Sequence, residues 1–339
     1  STENLNASSY WKINLFSYVL LLSSFILSNR GSSVEAAIAF LITSCAIELV
    51  IGKNVTIISN SMFRNSNLVN VSFEENSSCT TIKSYAFLEC TKLVSLQIPS
   101  SVTTIEKTAL FGCSNLVTLE IPFTGISQTA TAASKDSLFG VIFGTTTFEN
   151  GVQIKQYYNS SSYIYAYIPK TLKNVKVNGT VLDYSFYNVS TIENVQFGTN
   201  VQSIGQYAFY GSSIKSLSFD ENSNCTEIKN YAFTNCQSLS SVTLPDAIQT
   251  IRIYAFQNCS GLTNVDMPSS VTSIGYYAFY GCSSLTRVII PDGVTSVEGY
   301  TFCGCSNLMS VTLPNSIERV ETYAFDGCSE SLYDTLTIP

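Results

Sequence analysis

Residues 82–99 read IKSYAFLECTKLVSLQIP, and close copies of this stretch return along the chain at an almost constant spacing. Cysteines mark the repeat most clearly, because seven of the 11 cysteines stand 23 residues from a neighbour in the same run. They are Cys90 and Cys113 in one run, and Cys236, Cys259, Cys282, Cys305 and Cys328 in another. Leu, Val and Ile recur at fixed offsets from these cysteines. Such a period, with apolar residues at fixed positions, predicts a solenoid of stacked turns.

An aromatic position three residues before each of these cysteines allows the turns to be counted. Eleven turns carry this position, at Phe40, Phe63, Phe87, Leu110, Phe186, Phe209, Phe233, Phe256, Phe279, Phe302 and Phe325. Two steps are 24 residues long, and both contain the phrase Glu-Asn-Ser-x-Cys-Thr, with Cys79 and Cys225. We therefore predict an α/β leucine-rich repeat solenoid, mostly β with short 3₁₀ or helical turns, built from about eleven repeats and one insertion.

The repeat resembles the BspA-type leucine-rich repeat, also called the Treponema pallidum class, in strings such as VTSIGYYAFYGCSSL at residues 271–285. The resemblance covers residues 34–122 and 181–339. Repeats of this type occur in bacterial surface proteins and in surface antigens of parasitic protists such as trichomonads. The resemblance implies adhesion or recognition at a cell surface and no catalysis.

Composition narrows the classes of function. The chain has 24 acidic and 17 basic residues and a net charge of −7, with no Lys/Arg cluster. Nucleic acid and anionic membrane surfaces are therefore poor partners, since both require a basic patch. The absence of histidine removes the commonest general base and metal ligand. Since no phosphate-binding glycine motif or CxxC pair occurs either, we predict no enzymatic activity, cofactor, metal or small-molecule substrate.

The cysteine ladder is interpreted as a row of buried free thiols, with a disulfide framework as the alternative. Ser212 and Val189 occupy the ladder position in two turns, which a required disulfide partner would not allow. A thiol packs at such a position as a small hydrophobe. Cys79 and Cys225 lie off the ladder, and we expect them to be exposed on the opposite turn. The disulfide state of these two and of Cys303 stays open.

The chain divides into an N-terminal cap or signal-like segment (1–33), leucine-rich repeats (34–122), an aromatic-rich insertion with one degenerate repeat (123–180) and further repeats (181–339). The apolar stretch from Leu15 to Leu27 is long enough for a secretory signal peptide but too short for a membrane span. It could equally cap the first turn of the array, since a solenoid end needs such a cover.

The insertion contains one strand-like phrase, marked by Leu172, Val175 and Val177. The rest of it is rich in aromatic residues among Gly, Ser and Thr, and insertions in solenoids often carry binding. These aromatics either cover the core where the repeat fails or project as a contact element. The candidate contact residues are Tyr157, Tyr158, Tyr163 and Tyr165.

The phrase Leu-x-x-Leu-x-Ile predicts a short parallel strand in each turn, with Leu96 and Ile98 facing inward and Gln97 facing outward. Stacking aligns the outward residues of successive turns into rows of mostly small, neutral side chains. Such rows suit a broad protein or glycan contact better than a small-molecule pocket. The candidate binding residues of these rows are Gln97, Glu120, Gln196, Thr243, Asp266, Arg287, Ile289 and Thr312.

These features favour a non-enzymatic adhesion or recognition protein that is located at the cell surface or secreted. Its partner would be a protein or glycan macromolecule bound through the strand face or the insertion. The alternative is an intracellular structural or scaffold protein that docks to a larger assembly. The sequence leaves association with a membrane open.

Overall fold

The computed structural model describes residues 11–13 and 47–336 and shows a solenoid of stacked turns. Each turn contributes a strand of one long sheet, a two-residue strand on a second side, and a run of tight turns that carries the phenylalanine. The segment from Leu15 to Leu27, with its cap and signal interpretations, lies outside the described residues, as does Phe40. Within the described ranges, no helix has the length and apolar character needed to cross a membrane.

Strands from successive turns pair in register along one side of the stack. The first strand, β1 (Trp11–Ile13), pairs antiparallel with β2 (Ile47–Ile51), and the later pairs are parallel. Ten strands form one sheet, and the last two strands on this side form a sheet of their own. Buried and exposed residues alternate along these strands, as Leu96 and Gln97 show, which confirms the predicted strand phrase. The strands are β1 (Trp11–Ile13), β2 (Ile47–Ile51), β4 (Leu68–Phe73), β6 (Ser95–Gln97), β8 (Thr118–Ile121), β11 (Asn174–Val177), β12 (Asn194–Phe197), β14 (Ser216–Phe219), β16 (Ser241–Thr243), β18 (Asn264–Asp266), β20 (Arg287–Ile289) and β22 (Ser310–Thr312).

A second set of strands, each two residues long, forms parallel ladders on another side of the stack. The second residue of each strand is an Ile or Val that faces the core or its border. The strands are β3 (Ile57–Ile58), β5 (Thr81–Ile82), β7 (Thr104–Ile105), β13 (Ser203–Ile204), β15 (Glu227–Ile228), β17 (Thr250–Ile251), β19 (Ser273–Ile274), β21 (Ser296–Val297) and β23 (Arg319–Val320). A short helix, α1 (Glu330–Thr335), follows β23.

The segment that carries the phenylalanine forms successive tight turns rather than a continuous helix. In the turn of Phe87, the amide of Ala86 donates to the carbonyl of Lys83, and the amide of Leu88 donates to that of Tyr85. Tyr85 has a φ of 58°, a left-handed conformation that cannot continue a right-handed helix. The same tyrosine position has a positive φ in seven later turns.

The phenylalanine side chains form a stacked column inside the solenoid. The ring of Phe256 lies 5.2 Å from that of Phe233 and 5.3 Å from that of Phe279, with planes 10° and 3° apart. The amide of Phe256 also donates to the carbonyl of Ala278 in the next turn, at 2.8 Å. Each turn is therefore joined to its neighbour by a buried ring contact and by backbone hydrogen bonds.

The ladder cysteines are buried free thiols, which confirms that interpretation. Each thiol donates to a carbonyl oxygen of the preceding turn, as Cys282 does to Phe256 and Cys259 to Phe233, both at 3.2 Å. Burial raises the pKa of Cys282 to about 12, because the thiolate would lose its hydration inside the stack. The thiols therefore act as small core side chains that also satisfy backbone carbonyls.

The expectation that Cys79 and Cys225 are exposed is wrong, because both side chains are fully buried. Each stands three residues before the isoleucine of a short strand, where Val102 and Val271 stand in other turns. Compared with the next turn, the first of these 24-residue turns has two more residues between Val71 and Cys79 and one fewer between Phe63 and Val71. The cysteine consequently takes the place of a core valine.

The insertion replaces the connection between β8 and β11 with a long detour. It contains a 3₁₀ helix, η1 (Phe139–Ile142), and a hairpin of β9 (Gly151–Tyr157) and β10 (Tyr163–Pro169). The ring of Phe139 lies 4.6 Å from Phe186 and 5.6 Å from Phe143, and both insertion rings are fully buried. These two rings thus fill the phenylalanine column beside Phe186. Strand β11 then rejoins the long sheet in register between β8 and β12.

Removing one ring from the middle of this column is expected to destabilise the array strongly. For Phe279→Ala we predict a loss of about 3–5 kcal/mol in the free energy of unfolding, because the cavity lies between two stacked rings. Cys259→Ala should cost much less, since it removes a single sulfur atom. Urea unfolding followed by circular dichroism measures both; equal losses for the two variants would contradict the column described here.

The buried thiols also predict a dependence of stability on alkaline pH. Burial raises the pKa of Cys236 and Cys282 to about 12, whereas an unfolded thiol ionises near pH 8.5. As the pH rises, the thiols of the unfolded chain therefore ionise before the buried thiols of the folded protein. The stability of the folded protein consequently falls as the pH rises from about 8.5 toward about 12. In Cys282→Ala, the decline in unfolding free energy should be shallower than in the wild type, by up to about 1.4 kcal/mol per pH unit. An identical decline in both proteins would contradict the assignment.

Candidate interaction surfaces

The register of the long sheet brings most of the predicted row residues into one line, which we call the strand face. Gln97 lies opposite Glu120, Thr243 opposite Asp266, and Ile289 opposite Thr312. Gln196 continues the line beyond Glu120 through the strand β11 between them. Arg287 lies in the neighbouring row, on the same strand as Ile289. The row therefore runs along the ten-stranded sheet as far as Asp266 and continues on the separate sheet of β20 and β22, and its two halves differ in character.

In the first half of the strand face, polar side chains bind one another across the strands. Lys176 forms an ion pair with Asp220 at 2.7 Å, and the amide of Gln196 donates to the same carboxylate. The amide of Asn178 donates to Glu120 at 2.7 Å. Glu120 also lines a shallow depression of about 450 Å³ together with Gln97, whose rim is mainly acidic and amide in character. The polar groups of this half are largely satisfied within the chain.

In the second half, large side chains project from the strand face. Ile289 and Met309 each have 51% of their surface exposed, and Arg287, on the same strand as Ile289, is exposed as well. Strand pairing sets Arg287 opposite Ser310, the residue that follows Met309. Among residues 47–336, Arg287 has no acidic side chain within ion-pair distance. We call Arg287, Ile289 and Met309 the C-terminal patch.

The hairpin presents the insertion tyrosines away from the strand face. Tyr157 and Tyr163 pair across the hairpin with their rings 5.4 Å apart, and Tyr165 lies 5.5 Å from Tyr163. The ammonium of Lys155 sits 3.9 Å above the ring of Tyr163, an arrangement typical of a cation–π contact. Tyr163 and Tyr165 are 43% and 46% exposed, whereas Tyr158 is half-buried against the core.

Gln156 fixes the loop end of this hairpin to the solenoid. Its side chain is fully buried. Its Oε1 accepts from the amide of Gly140 at 2.8 Å, and its Nε2 donates to the carbonyl of Ser185 at 2.9 Å. The single amide thereby joins the hairpin, the 3₁₀ helix and the next turn of the array. The position of the insertion tyrosines depends on these two bonds.

A row of tyrosines that sequence reasoning missed runs along the outside of the tight turns. Each of these tyrosines stands two residues before a phenylalanine of the stacked column, so the row could have been found from the 23-residue repeat. Successive rings stack face to face with centroids 4.6–5.0 Å apart. The row comprises Tyr184, Tyr207, Tyr231, Tyr254, Tyr277, Tyr300 and Tyr323.

A shorter second row begins where the hairpin meets the turns. Tyr187 stacks on Tyr210 at 5.0 Å and receives Tyr157 from the hairpin at 5.1 Å. Burial, and then the neighbouring phenols of Tyr210 and Tyr157, raise the pKa of Tyr187 to about 12. The two rows and the hairpin loop enclose a groove of about 400 Å³, which we call the tyrosine groove. It is lined by Tyr157, Asn159, Ser160, Tyr184, Tyr187, Tyr207, Tyr210, Tyr231 and Gln257.

Across residues 11–13 and 47–336, no three His, Cys, Asp or Glu side chains are grouped so that they could hold a metal ion. The carboxylate with the most perturbed environment is Glu193, whose pKa falls to about 2 because Lys215 and Lys173 hydrogen-bond to it. This group is a half-buried ion-pair partner at the surface. The described chemistry is that of surfaces and shallow grooves.

Comparison with known proteins gives one family and several solved structures. The profile of the family described as "BspA type Leucine rich repeat region" matches residues 11–138, 150–286 and 226–339. A leucine-rich repeat protein of T. pallidum is 30% identical over 43% of this chain and 72% of its own, with a TM-score of 0.41. One from Bacteroides ovatus is 21% identical over 82% and 81%, with a TM-score of 0.37. A leucine-rich cell surface protein from Faecalibacterium prausnitzii is 18% identical over 86% and 93%, with a TM-score of 0.31. No curated protein matches the chain.

The position of the insertion tyrosines is expected to depend on Gln156. In Gln156→Leu, the amide of Gly140 and the carbonyl of Ser185 lose their buried partner, so the unfolding free energy should fall by about 1–3 kcal/mol. Hydrogen exchange of residues 151–169 should rise in the same variant. Gln153→Leu is the matched control, because this neighbouring glutamine of β9 is exposed and bonds only to the hydroxyl of Tyr167. Equal exchange in the two variants would show that Gln156 does not hold the hairpin.

Proposed function

The chain belongs to the BspA-type leucine-rich repeat family, and from that premise we propose that it is a non-enzymatic recognition protein. Its partner is a protein, and the C-terminal patch on the strand face is the centre of the contact. The observation that carries this proposal is the exposure of Ile289 and Met309 around an arginine without an ion-pair partner in the described chain.

The composition of the C-terminal patch fits a protein interface. Arginine and methionine are enriched in such interfaces, and arginine is frequent among the residues that dominate binding energy. Burying Ile289 and Met309 under a partner would remove two half-exposed apolar side chains from water. A carboxylate of the partner would supply the charge that Arg287 lacks in its own chain.

The shape of the surface favours a macromolecule over a small molecule. The side chains around the patch on the strand face, such as Thr243, Asp266 and Thr312, are exposed. Small-molecule sites are concave and bury most of their ligand. A row of exposed side chains with one apolar centre is suited to a partner of comparable size.

We extend to this chain the location that the family resemblance implies, at the cell surface or in the medium. Partner recognition and location are separable, and each has its own test. Protease treatment of intact cells that make the protein should degrade it while a cytosolic marker protein stays undegraded. Full resistance to the protease under these conditions would favour the intracellular scaffold instead.

Recognition is tested with a charge placed on the patch. Ile289→Asp in the full chain should weaken saturable binding to intact bacterial or epithelial cells by about tenfold or more, because it puts a carboxylate into the centre of the contact. Binding of the wild type should also fall when the target cells are first digested with trypsin. The readout is a binding isotherm of fluorescently labelled protein.

Ile253→Asp is the matched control. Ile253 is an exposed isoleucine, 38% accessible, that follows a short strand and lies off the strand face. The same substitution there should leave the isotherm unchanged. The proposal fails if both variants lose binding equally, if neither does, or if digestion of the target cells has no effect.

A further inference from the structure

The second tyrosine row ends at Tyr210, and one face of that ring has no stacked ring on it in the described chain. Tyr187 and Tyr210 stack at 5.0 Å with their planes 8° apart, so one face of Tyr210 is covered. The equivalent position in the next turn is Thr234, which is buried and whose hydroxyl donates to the carbonyl of Tyr254. Within the described chain, no ring stacks on the other face of Tyr210.

The space above Thr234 is one turn wide. The ring of Tyr210 forms one wall, and Gln257, the equivalent residue one turn further on, lies on the opposite side. The edge of Tyr231 forms part of the floor, since its two faces are already stacked on Tyr207 and Tyr254. Because successive rings are about 5 Å apart, two turns leave room for one additional ring between the walls.

The hairpin loop supplies polar groups at the mouth of this space. Asn159 and Ser160 belong to the same groove, and the carboxamide oxygen of Asn159 accepts from the amides of Ser161 and Ser162. Its NH₂ group has no hydrogen-bond partner among the described residues and is available as a donor. The groove is lined entirely by uncharged side chains, in a chain whose net charge is −7.

We propose that the tyrosine groove binds a neutral glycan, with one sugar ring stacked on the open face of Tyr210. The face of a phenol ring carries negative charge density, and the C–H groups of a pyranose face are weakly positive, so the two attract. The phenol, hydroxyl and carboxamide groups around the ring both donate and accept hydrogen bonds. A sugar hydroxyl needs this combination, because it does both as well.

Other occupants fit the groove less well. A sialylated or sulfated glycan would bring negative charge to a lining without a charged side chain, in an acidic protein. The ammonium of Lys155, beside the groove, is already engaged over the rings of Tyr157 and Tyr163. A proline-rich segment could stack on a tyrosine, but its backbone offers almost only acceptors, so the carboxamide oxygen of Gln257 would receive no donor from it. The site is separate from the C-terminal patch and does not depend on the protein partner proposed above.

The test fills the open space with a ring from the protein itself. In Thr234→Tyr, the new phenol is expected to stack on Tyr210 in the same way that Tyr210 stacks on Tyr187. A tyrosine followed by an asparagine already occurs at this repeat position in an earlier turn, as Tyr187-Asn188. The variant should therefore fold, as judged by its melting temperature, and yet exclude the sugar ring. Tyr210→Ala removes the stacking face, and Tyr280→Ala removes a tyrosine at the same repeat position outside the groove.

The probes are an array of neutral oligosaccharides ending in galactose, glucose, mannose or N-acetylglucosamine, followed by titration of the strongest ligand by NMR. Wild type and Tyr280→Ala should bind alike, whereas Thr234→Tyr and Tyr210→Ala should bind about tenfold more weakly or worse. Retained binding in a folded Thr234→Tyr protein overturns the proposal. So does the absence of any neutral ligand on the array, or saturable binding of an octaproline peptide in place of the sugars.

Discussion

The contact between one turn and the next is the constraint on which the whole structure depends. In the interior, a phenylalanine ring stacks on the ring of the neighbouring turn, as Phe279 and Phe302 do at 5.4 Å, while the amide of Phe279 donates to the carbonyl of Thr301 at 2.9 Å. Both contacts must be made at the same spacing, so each turn has to place the same type of side chain at the same height. The outer surfaces inherit this spacing, which is why outward residues form rows.

The interior of the solenoid could be predicted because its columns repeat. The 23-residue period, the alternation of inward and outward strand residues and the buried thiols all followed from positions such as Phe256, Leu96 and Cys259. The error at Cys79 and Cys225 arose where the period slips by one residue. Each of these two cysteines stands three residues before an isoleucine, at 82 or 228, and this spacing identifies it as a core position. Its distance from the ladder cysteines was a poorer guide.

The insertion could be located from the sequence, but its contacts and the grooves could not be predicted, because the residues there have no period to reveal what they meet. Phe139 joins the column beside Phe186 only because the chain folds back through a 3₁₀ helix. Gln156 looks like an exposed strand residue in the sequence, yet it is the buried link between hairpin and array. The open face of Tyr210 exists because one turn carries Thr234 where its neighbours carry larger side chains, and this becomes visible only when the turns are stacked.

Hydrogen exchange followed by mass spectrometry on the intact chain tests most directly that contacts between turns hold the array together. The account predicts that the amides of Phe233, Phe256 and Phe279, which donate into the next turn, exchange most slowly. The amides of the hairpin loop at residues 158–162, in the insertion, should exchange fastest in the described part of the chain. Exchange of the phenylalanine amides at the rate of the loop would contradict the account, because the turns would then open without breaking their neighbours' contacts.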